Sequence, residues 1–306
     1  MKKIRLALLS GGNSAEREVS LKTGEMIKKN LDPKKYEVFL FDPAKDLKKL
    51  TEAIFKKRVD VVFPALHGPG GEDGRLQGFL ETLGVSFAFS GVLASALAMD
   101  KEMTKKIFRR EKIPTPKYFV FSKNGHLSLK KTFFPCVVKP AAQGSSIGIT
   151  LAQGPGQLKA ALKKALRFST KALVEEYIEG REITAGVLGN QKPEALPLVE
   201  IRPRCSSFFD FRAKYEKGGS EEVCPANIAP ALAKKIRDLA VRLHQALGCR
   251  GASRTDFILR GNQIFVLEIN TIPGMTKTSL LPQAASKAGI GFSALLDRII
   301  ELALEN

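Results

Sequence analysis

IRLALLSGGNSAEREVSLKTGEMIKKNLDPKKYEVFLFDPAKDLKKLTEAIFKKRVDVVF (residues 4–63) decides the architecture of the first third of the chain. Short apolar runs at 4–9, 36–41 and 59–63 are separated by segments of helical period at 16–30 and 44–57. Strands separated by helices of that length imply a parallel sheet with right-handed crossovers. A Gly-rich loop and a further helical segment at 75–83 continue the pattern. The region therefore reads as a Rossmann-like α/β unit.

Beyond it, two helical segments begin near Gly91 and are broken by Pro114 and Pro116. Strand patterns follow at 118–121, 134–139, 147–151, 172–178 and 182–188, with a helix at 157–166. After a polar loop over about 203–225, Leu232, Ile236, Leu239, Leu243 and Leu247 recur at three- and four-residue spacing, the signature of an amphipathic helix. Two strands at 251–259 and 263–269 are joined by Gly261-Asn262, a pair suited to a hairpin turn, and a helical stretch at 293–304 closes the chain. No internal repeat or low-complexity tract interrupts this order.

Composition excludes several classes. Hydrophobic residues fill 44% of 306 positions, enough for the cores of two domains or three small ones and too many for a disordered chain. The run at 4–9 is too short for a signal peptide, and no stretch reaches the ~20 apolar residues of a membrane-spanning helix, so a soluble cytoplasmic protein is expected. Cys136, Cys205, Cys224 and Cys249 lie far apart without a CxxC pair and read as reduced thiols. With only His67, His126 and His244 as imidazoles, any metal should be a hard cation held by oxygen. The net charge of +18 raises the question of nucleic acid. The basic pairs, such as Lys28-Lys29, Lys105-Lys106 and Lys234-Lys235, are scattered along helical segments, and no zinc-finger, RNP-type or basic-zipper motif accompanies them. Nucleic acid is not expected as a partner, although the charge favours anionic substrates such as nucleotides.

Three places hold residues suited to chemistry. Arg254 and Asp256 lie two apart on one expected strand and Glu268 and Asn270 two apart on its partner, so each pair shares a face. Asp256, Glu268 and Asn270 offer the oxygen ligands Mg²⁺ takes, or form a salt-bridged polar face at the end of a hairpin. Lys139 leaves the apolar strand just before Gln143-Gly144-Ser145-Ser146-Ile147-Gly148, which suits a phosphate site without being a Walker A loop, or is an ordinary hairpin loop. Gly11-Gly12-Asn13-Ser14-Ala15-Glu16 follows the first strand but lacks the third glycine of a dinucleotide fingerprint, which argues against a nicotinamide enzyme. Glu16 could grip a cationic group or simply favour a helix N-terminus, and His67 could touch substrate or be a hydrogen-bonded structural residue.

Taken in order, GGNSAEREVSL (11–21), HGPGGEDG (67–74), MDKEMTK (99–105), VVKPAAQGSSIGI (137–149), EEYIEGREIT (175–184), FFDFRAKY (208–215), CPA (224–226), SRTDF (253–257) and EINTIPGMTKTSLLPQAA (268–285) resemble the D-alanine–D-alanine ligase family over essentially the whole chain. The resemblance implies a Rossmann-like N-terminal subdomain (1–92) followed by a two-part ATP-grasp fold, central (93–174) and C-terminal (175–306). It implies ATP-dependent ligation of two D-alanines through D-alanyl phosphate for peptidoglycan synthesis. Two Mg²⁺, replaceable by Mn²⁺, would be held by Asp256, Glu268 and Asn270.

The same resemblance gives ATP contacts to Lys101, Lys139, Ser146, Glu175, Glu176, Ile178, Glu182 and, from the polar loop, Lys214. Glu16 would hold the ammonium of the first D-alanine and connect through Ser145 to Tyr215. His67 would lie by the substrate, and Arg254 and the Gly274 backbone N–H would bind the oxyanion. Ser279 and the Leu280 backbone would take the carboxylate of the second D-alanine. Tyr215 goes with dipeptide rather than D-lactate ester formation. A homodimer is also implied. Gln143 departs from the pattern, in which glutamate is more usual, and bears on details of the phosphate loop. Rival readings are another ATP-grasp ligase, a non-catalytic nucleotide binder on the same fold and a basic nucleic-acid binder.

Overall fold

The computed structural model describes residues 2–125, 132–204, 218–276 and 278–305. Lys214, Tyr215, Cys205, His126 and the FFDFRAKY motif lie outside the described residues.

Strands β1 (Ile4–Leu9), β2 (Tyr36–Phe41), β3 (Val61–Pro64) and β4 (Ser86–Phe87) form a parallel sheet in the order β2-β1-β3-β4. Helices α1 (Arg17–Asn30), α2 (Leu47–Phe55) and α3 (Arg75–Thr82) are its crossovers. Parallel sheets need both faces covered, which is why β1 reads as a continuous apolar run. Ala7, Leu9 and Val62 pack with Leu50, Ile54, Leu76 and Leu80 of α2 and α3. Leu6, Leu8 and Phe63 on the other face meet Ile27 of α1 together with Leu295, Leu296 and Ile299 of the last helix (Phe292–Leu304). The final segment of the chain thus returns to complete the first sheet.

Helices α4 (Val92–Met99) and α5 (Lys101–Arg110) lead into an antiparallel sheet of β5 (Tyr118–Ser122), β6 (Cys136–Pro140), β7 (Thr150–Ala152) and β8 (Lys171–Glu176), ordered β5-β8-β6-β7. Helix α6 (Pro155–Ala165) seals one face through Leu158, Ala161 and Leu162 against Cys136, Val138, Ala172 and Val174. Lys139 and Glu175 alternate with these residues and so occupy the opposite face.

The third sheet contains β9 (Arg181–Leu188), β10 (Glu194–Ala195), β11 (Val199–Pro203), β12 (Ser220–Val223), β13 (Ala252–Arg260) and β14 (Gln263–Asn270). Its order is β12-β11-β9-β13-β14, with β10 on β9. The expected Gly261-Asn262 hairpin is present: Arg260 pairs with Gln263 and Gly261 has φ 57°. Helix α7 (Pro230–Ala246) covers one face with Ile236, Ala240 and Leu243. His244 is fully buried there, between the Ser253 hydroxyl (2.8 Å from Nδ1) and the Gly189 carbonyl (3.1 Å from Nε2). Because a carbonyl only accepts, Nε2 carries the proton and Nδ1 accepts from Ser253. Burial lowers this imidazole to about 4, so it is neutral at physiological pH.

Besides the short strands β4 and β10, three elements depart from the sequence expectation. The end of the polar loop expected over about 203–225 is strand β12, paired with β11. Strand β11 hides its periodicity because Glu200 is buried within it, held by Arg181 at 2.7 and 2.8 Å and by Arg202 at 3.0 Å. Helix α8 (Leu280–Lys287) precedes the closing helix, now α9 (Phe292–Leu304), and was not expected. Its short run LLPQAASK holds a proline, tolerated because it falls in the first turn. Among the described residues no helix is long and apolar enough to cross a membrane.

Candidate active site

Two adjoining cavities lie where the three sheets meet. The larger, about 680 Å³, is lined from all three: Glu16, His67 and Glu72 from the first, Lys101 and Ser145 from the second, Arg254, Glu268 and Asn270 from the third. The smaller, about 110 Å³, includes Lys139, Ser146, Glu175, Ile178 and Asp256 among its walls. Glu268 belongs to the walls of both, so the two spaces adjoin at that carboxylate.

A β-bulge positions the acidic residues. Asp256 pairs with Glu268 but Phe257 pairs with Val266, leaving Leu267 as the extra residue of β14. Without it, Val266 and Glu268 would share a face. With it, Val266 and Ile269 enter the core under α7, while Glu268 and Asn270 point to the cavities. Asp256 and Glu268 are directly opposed like charges, an arrangement that is unfavourable without compensating cations. Arg254 supplies one, donating from Nε and Nη2 to the two Asp256 oxygens at 2.9 Å each. Burial opposes the guanidinium charge, but Asp256, together with Glu268 and Glu72, more than offsets it and the pKa is raised. Lys101 supplies the other, 3.4 Å from Glu268. The Thr184 hydroxyl, on the neighbouring strand β9, also donates to Asp256 at 2.7 Å.

Lys101 opens α5, directly after Asp100, whose side chain accepts from the Met103 N–H at 3.1 Å. Its ammonium donates to the Gln143 carbonyl at 2.7 Å, tying it to the Gly-Ser loop. In that loop Ser145 and Ser146 have φ of 50° and 57°, a region costly for residues with a Cβ and common at functional sites. Ser145 donates its hydroxyl hydrogen bond to Glu16.

Glu16 sits at the N-terminus of α1 and is buried between two glycines. A Cβ on Gly68 would stand 2.6 Å from Glu16 Oε2, and one on Gly144 3.5 Å from it. Glu72 is close by, accepting from the Gly68 N–H at 2.5 Å. Burial, reinforced by the Glu16 charge, raises Glu72 to about 8, so it holds a proton at neutral pH. His67 is buried with Nε2 3.3 Å from the Thr23 hydroxyl, and burial, with Arg254 adding to it, lowers its pKa to about 4.

At the smaller cavity, Glu175 is almost completely buried and meets Lys105 and Lys139, each at 2.5 Å. Val137 faces Glu175 across β6 and β8, which makes Lys139 its diagonal neighbour on the same face, within reach of long side chains. Burial works against the charges here and holds Lys105 below the usual lysine range, against the pull of Glu175. The two ammoniums nevertheless hold Glu175 below the usual carboxylate range, and Glu175 and Glu268 hold Lys139 above the usual lysine range. Ile178 is buried, and Glu176 and Glu182 complete one wall.

On the same cavity as Arg254, Ser279 holds the N-cap position of α8 without a side-chain capping bond, and its hydroxyl accepts from the Thr276 N–H at 3.0 Å. Ser279, Leu280 and Gly274 all line the larger cavity. The α8 N-terminus there suits a carboxylate, since its first N–H groups lack intrahelical partners.

All the described residues singled out from sequence therefore line one of the two cavities. Sequence reasoning missed Glu72, Thr184 and Lys105. Lys101, Thr104, Lys105 and Phe108 recur at helical spacing and are all buried, so the missed lysine stood in an apolar slot of the α5 pattern.

The family model described as D-ala D-ala ligase C-terminus matches residues 107–301, and that described as D-ala D-ala ligase N-terminus matches residues 42–90. A D-alanine–D-alanine ligase of Syntrophobacter fumaroxidans is 49% identical, covering 99% of this chain and 99% of its own length. One from Desulfotalea psychrophila is 46% identical over 99% and 96%. The crystal structure of the D-alanine–D-alanine ligase from Bacillus anthracis complexed with ATP has a TM-score of 0.86 at 34% identity, covering 98% of this chain and 97% of that one. The VanG D-Ala:D-Ser ligase from Enterococcus faecalis has a TM-score of 0.85 at 32% identity, covering 99% and 100%.

Proposed function

Because the chain belongs to the D-alanine–D-alanine ligase family, we infer that it joins two D-alanine molecules at the expense of ATP, forming D-alanyl-D-alanine, ADP and phosphate. The observation that carries this reading is the convergence of a carboxylate suited to an ammonium, two phosphate-type lysines and a partly buried guanidinium around two adjoining cavities. A carboxylate is a poor electrophile until phosphorylated, so the first step is transfer of the γ-phosphoryl group to the first D-alanine. Glu16 binds that substrate's ammonium, with Ser145 fixing the carboxylate. Lys101 and Lys139 neutralise phosphate oxygens, Ser146 joins them, and Glu175, Glu176, Ile178 and Glu182 line the adenosine side. In the second step the amine of the other D-alanine attacks the acyl phosphate. Arg254 and the Gly274 N–H stabilise the oxyanion, while Ser279 and the α8 N-terminus at Leu280 hold the incoming carboxylate. His67, neutral and buried, shapes the first substrate's subsite. Lys214 and Tyr215 belong to the same reading through the resemblance alone.

The donor set fits magnesium. Asp256 and Glu268 face each other with opposed charges of one sign, and Asn270 adds a neutral oxygen. Magnesium completes its shell with phosphates and water, so a few oxygen donors from the protein suffice. We assign two Mg²⁺, or Mn²⁺ in their place, to Asp256, Glu268 and Asn270. When bound, they neutralise charge on the phosphates.

The product serves peptidoglycan synthesis. The reaction belongs in the cytoplasm, where ATP is supplied and the thiols of Cys136, Cys224 and Cys249 stay reduced. Subdomains 1–92, 93–174 and 175–306 and a homodimer complete the proposal. The test is phosphate release from ATP and Mg²⁺ with D-alanine, with L-alanine as control and D-serine and D-lactate offered as competing second substrates at neutral pH. Release should require D-alanine, and mass detection should find D-alanyl-D-alanine as the main product. Release with L-alanine, or a predominant D-serine or D-lactate product, would contradict the substrate assignment.

A further inference from the structure

Lys105 has no role in the reaction as described, yet it is a lysine with about 1% of its surface exposed. It lines neither cavity. Its ammonium holds one oxygen of Glu175 at 2.5 Å while Lys139 holds the other at the same distance. Its ammonium also contacts the Thr115 hydroxyl and, at 3.3 Å, the Val266 carbonyl, and stands 5.5 Å from the Phe108 ring centre, while Thr115 donates to that same carbonyl at 2.7 Å. Lys105 thus links α5, β8 and the bulged strand β14, one residue before the extra Leu267.

The charge count explains why a buried lysine is kept here. With one carboxylate between two ammoniums, the cluster carries one net positive charge, and Lys139 is its only member on the cavity side with that sign. Without Lys105, Glu175 would pair with Lys139 alone and cancel it. We propose that Lys105 is a positioning residue for the nucleotide: by sharing Glu175 it keeps Lys139 electrostatically available to phosphate and holds the Glu175 carboxylate at the wall of the smaller cavity. A merely structural ion pair would instead matter for folding and leave nucleotide affinity unchanged. The inference rests on the ATP-dependent reading above.

A double-mutant cycle tests it, with affinity for a non-hydrolysable ATP analogue plus Mg²⁺ measured by calorimetry and KM for D-alanine measured in parallel. Lys105→Met should weaken the analogue at least tenfold while D-alanine KM stays within about twofold. In a Glu175→Gln background, where the carboxylate shared by the two lysines is gone, the same substitution should cost less than about threefold. Lys105→Gln, which keeps a donor for Thr115 and Val266 but removes the charge, is measured beside it, so a folding defect in the methionine variant does not decide the outcome. Analogue affinity within twofold of wild type in both Lys105 variants, or equal losses in the two backgrounds, would overturn the proposal. A wild-type chain that binds no nucleotide would instead overturn the functional reading itself.

Discussion

Arg254→Ala is expected to lose about 10²–10³ in kcat, the typical cost of removing one oxyanion donor. Arg254 is partly buried, is held in place by two 2.9 Å hydrogen bonds to Asp256, and borders the larger cavity together with Gly274 and Ser279. Such a donor needs no reorganisation when charge develops on the substrate. The substitution also frees Asp256, so a thermal melt must accompany the kinetics to separate lost stability from lost rate. Near-normal turnover in a folded Arg254→Ala variant would remove Arg254 from the reaction.

Gly68→Ala should reduce kcat/KM for D-alanine by roughly 10², the scale set by displacing a positioning group by about 1 Å. Gly68 has φ 76°, a conformation that costs alanine about 1–2 kcal/mol. More specifically, the new methyl group would stand 2.6 Å from Glu16 Oε2, so the carboxylate must move. Because Gly68 is not among the walls of the smaller cavity, nucleotide affinity should remain within about twofold of wild type. Equal losses for D-alanine and nucleotide would point to general unfolding of the loop, and no loss in either would contradict the role given to Glu16.

Much of this site was legible in the sequence because its logic is local. The apolar run Ile264 to Leu267 followed by Glu268 and Asn270 signalled carboxylate and amide groups at the end of a buried strand, and Arg254 and Asp256 share a face by simple alternation. The bulge at Leu267 was not legible, since it moves Val266 and Glu268 to opposite faces against the two-residue period. Glu72 was quoted within its motif but not distinguished. Burial and the approach of Glu16 make its proton stay, against the Gly68 N–H, which favours the charged form, and both are tertiary effects. Lys105 went unread for the opposite reason: lysines usually lie on solvated faces, and the carboxylate that justifies burying this one lies 70 residues away on β8. Strand β11 and the closing helix α9 make the same point for the fold. Glu200 breaks the strand's apolar pattern, and nothing in the periodicity of α9 says that it packs on the first sheet of the chain.

The central claim is that the first D-alanine is activated as an acyl phosphate. Turnover with D-alanine labelled with ¹⁸O in its carboxylate, ATP and Mg²⁺ tests it most directly. The carboxylate oxygen that attacks the γ-phosphorus leaves with the phosphate when the second amine displaces it. The account therefore predicts one ¹⁸O in each released phosphate for each fully labelled D-alanine activated. Phosphate released without label, while dipeptide accumulates, would contradict it.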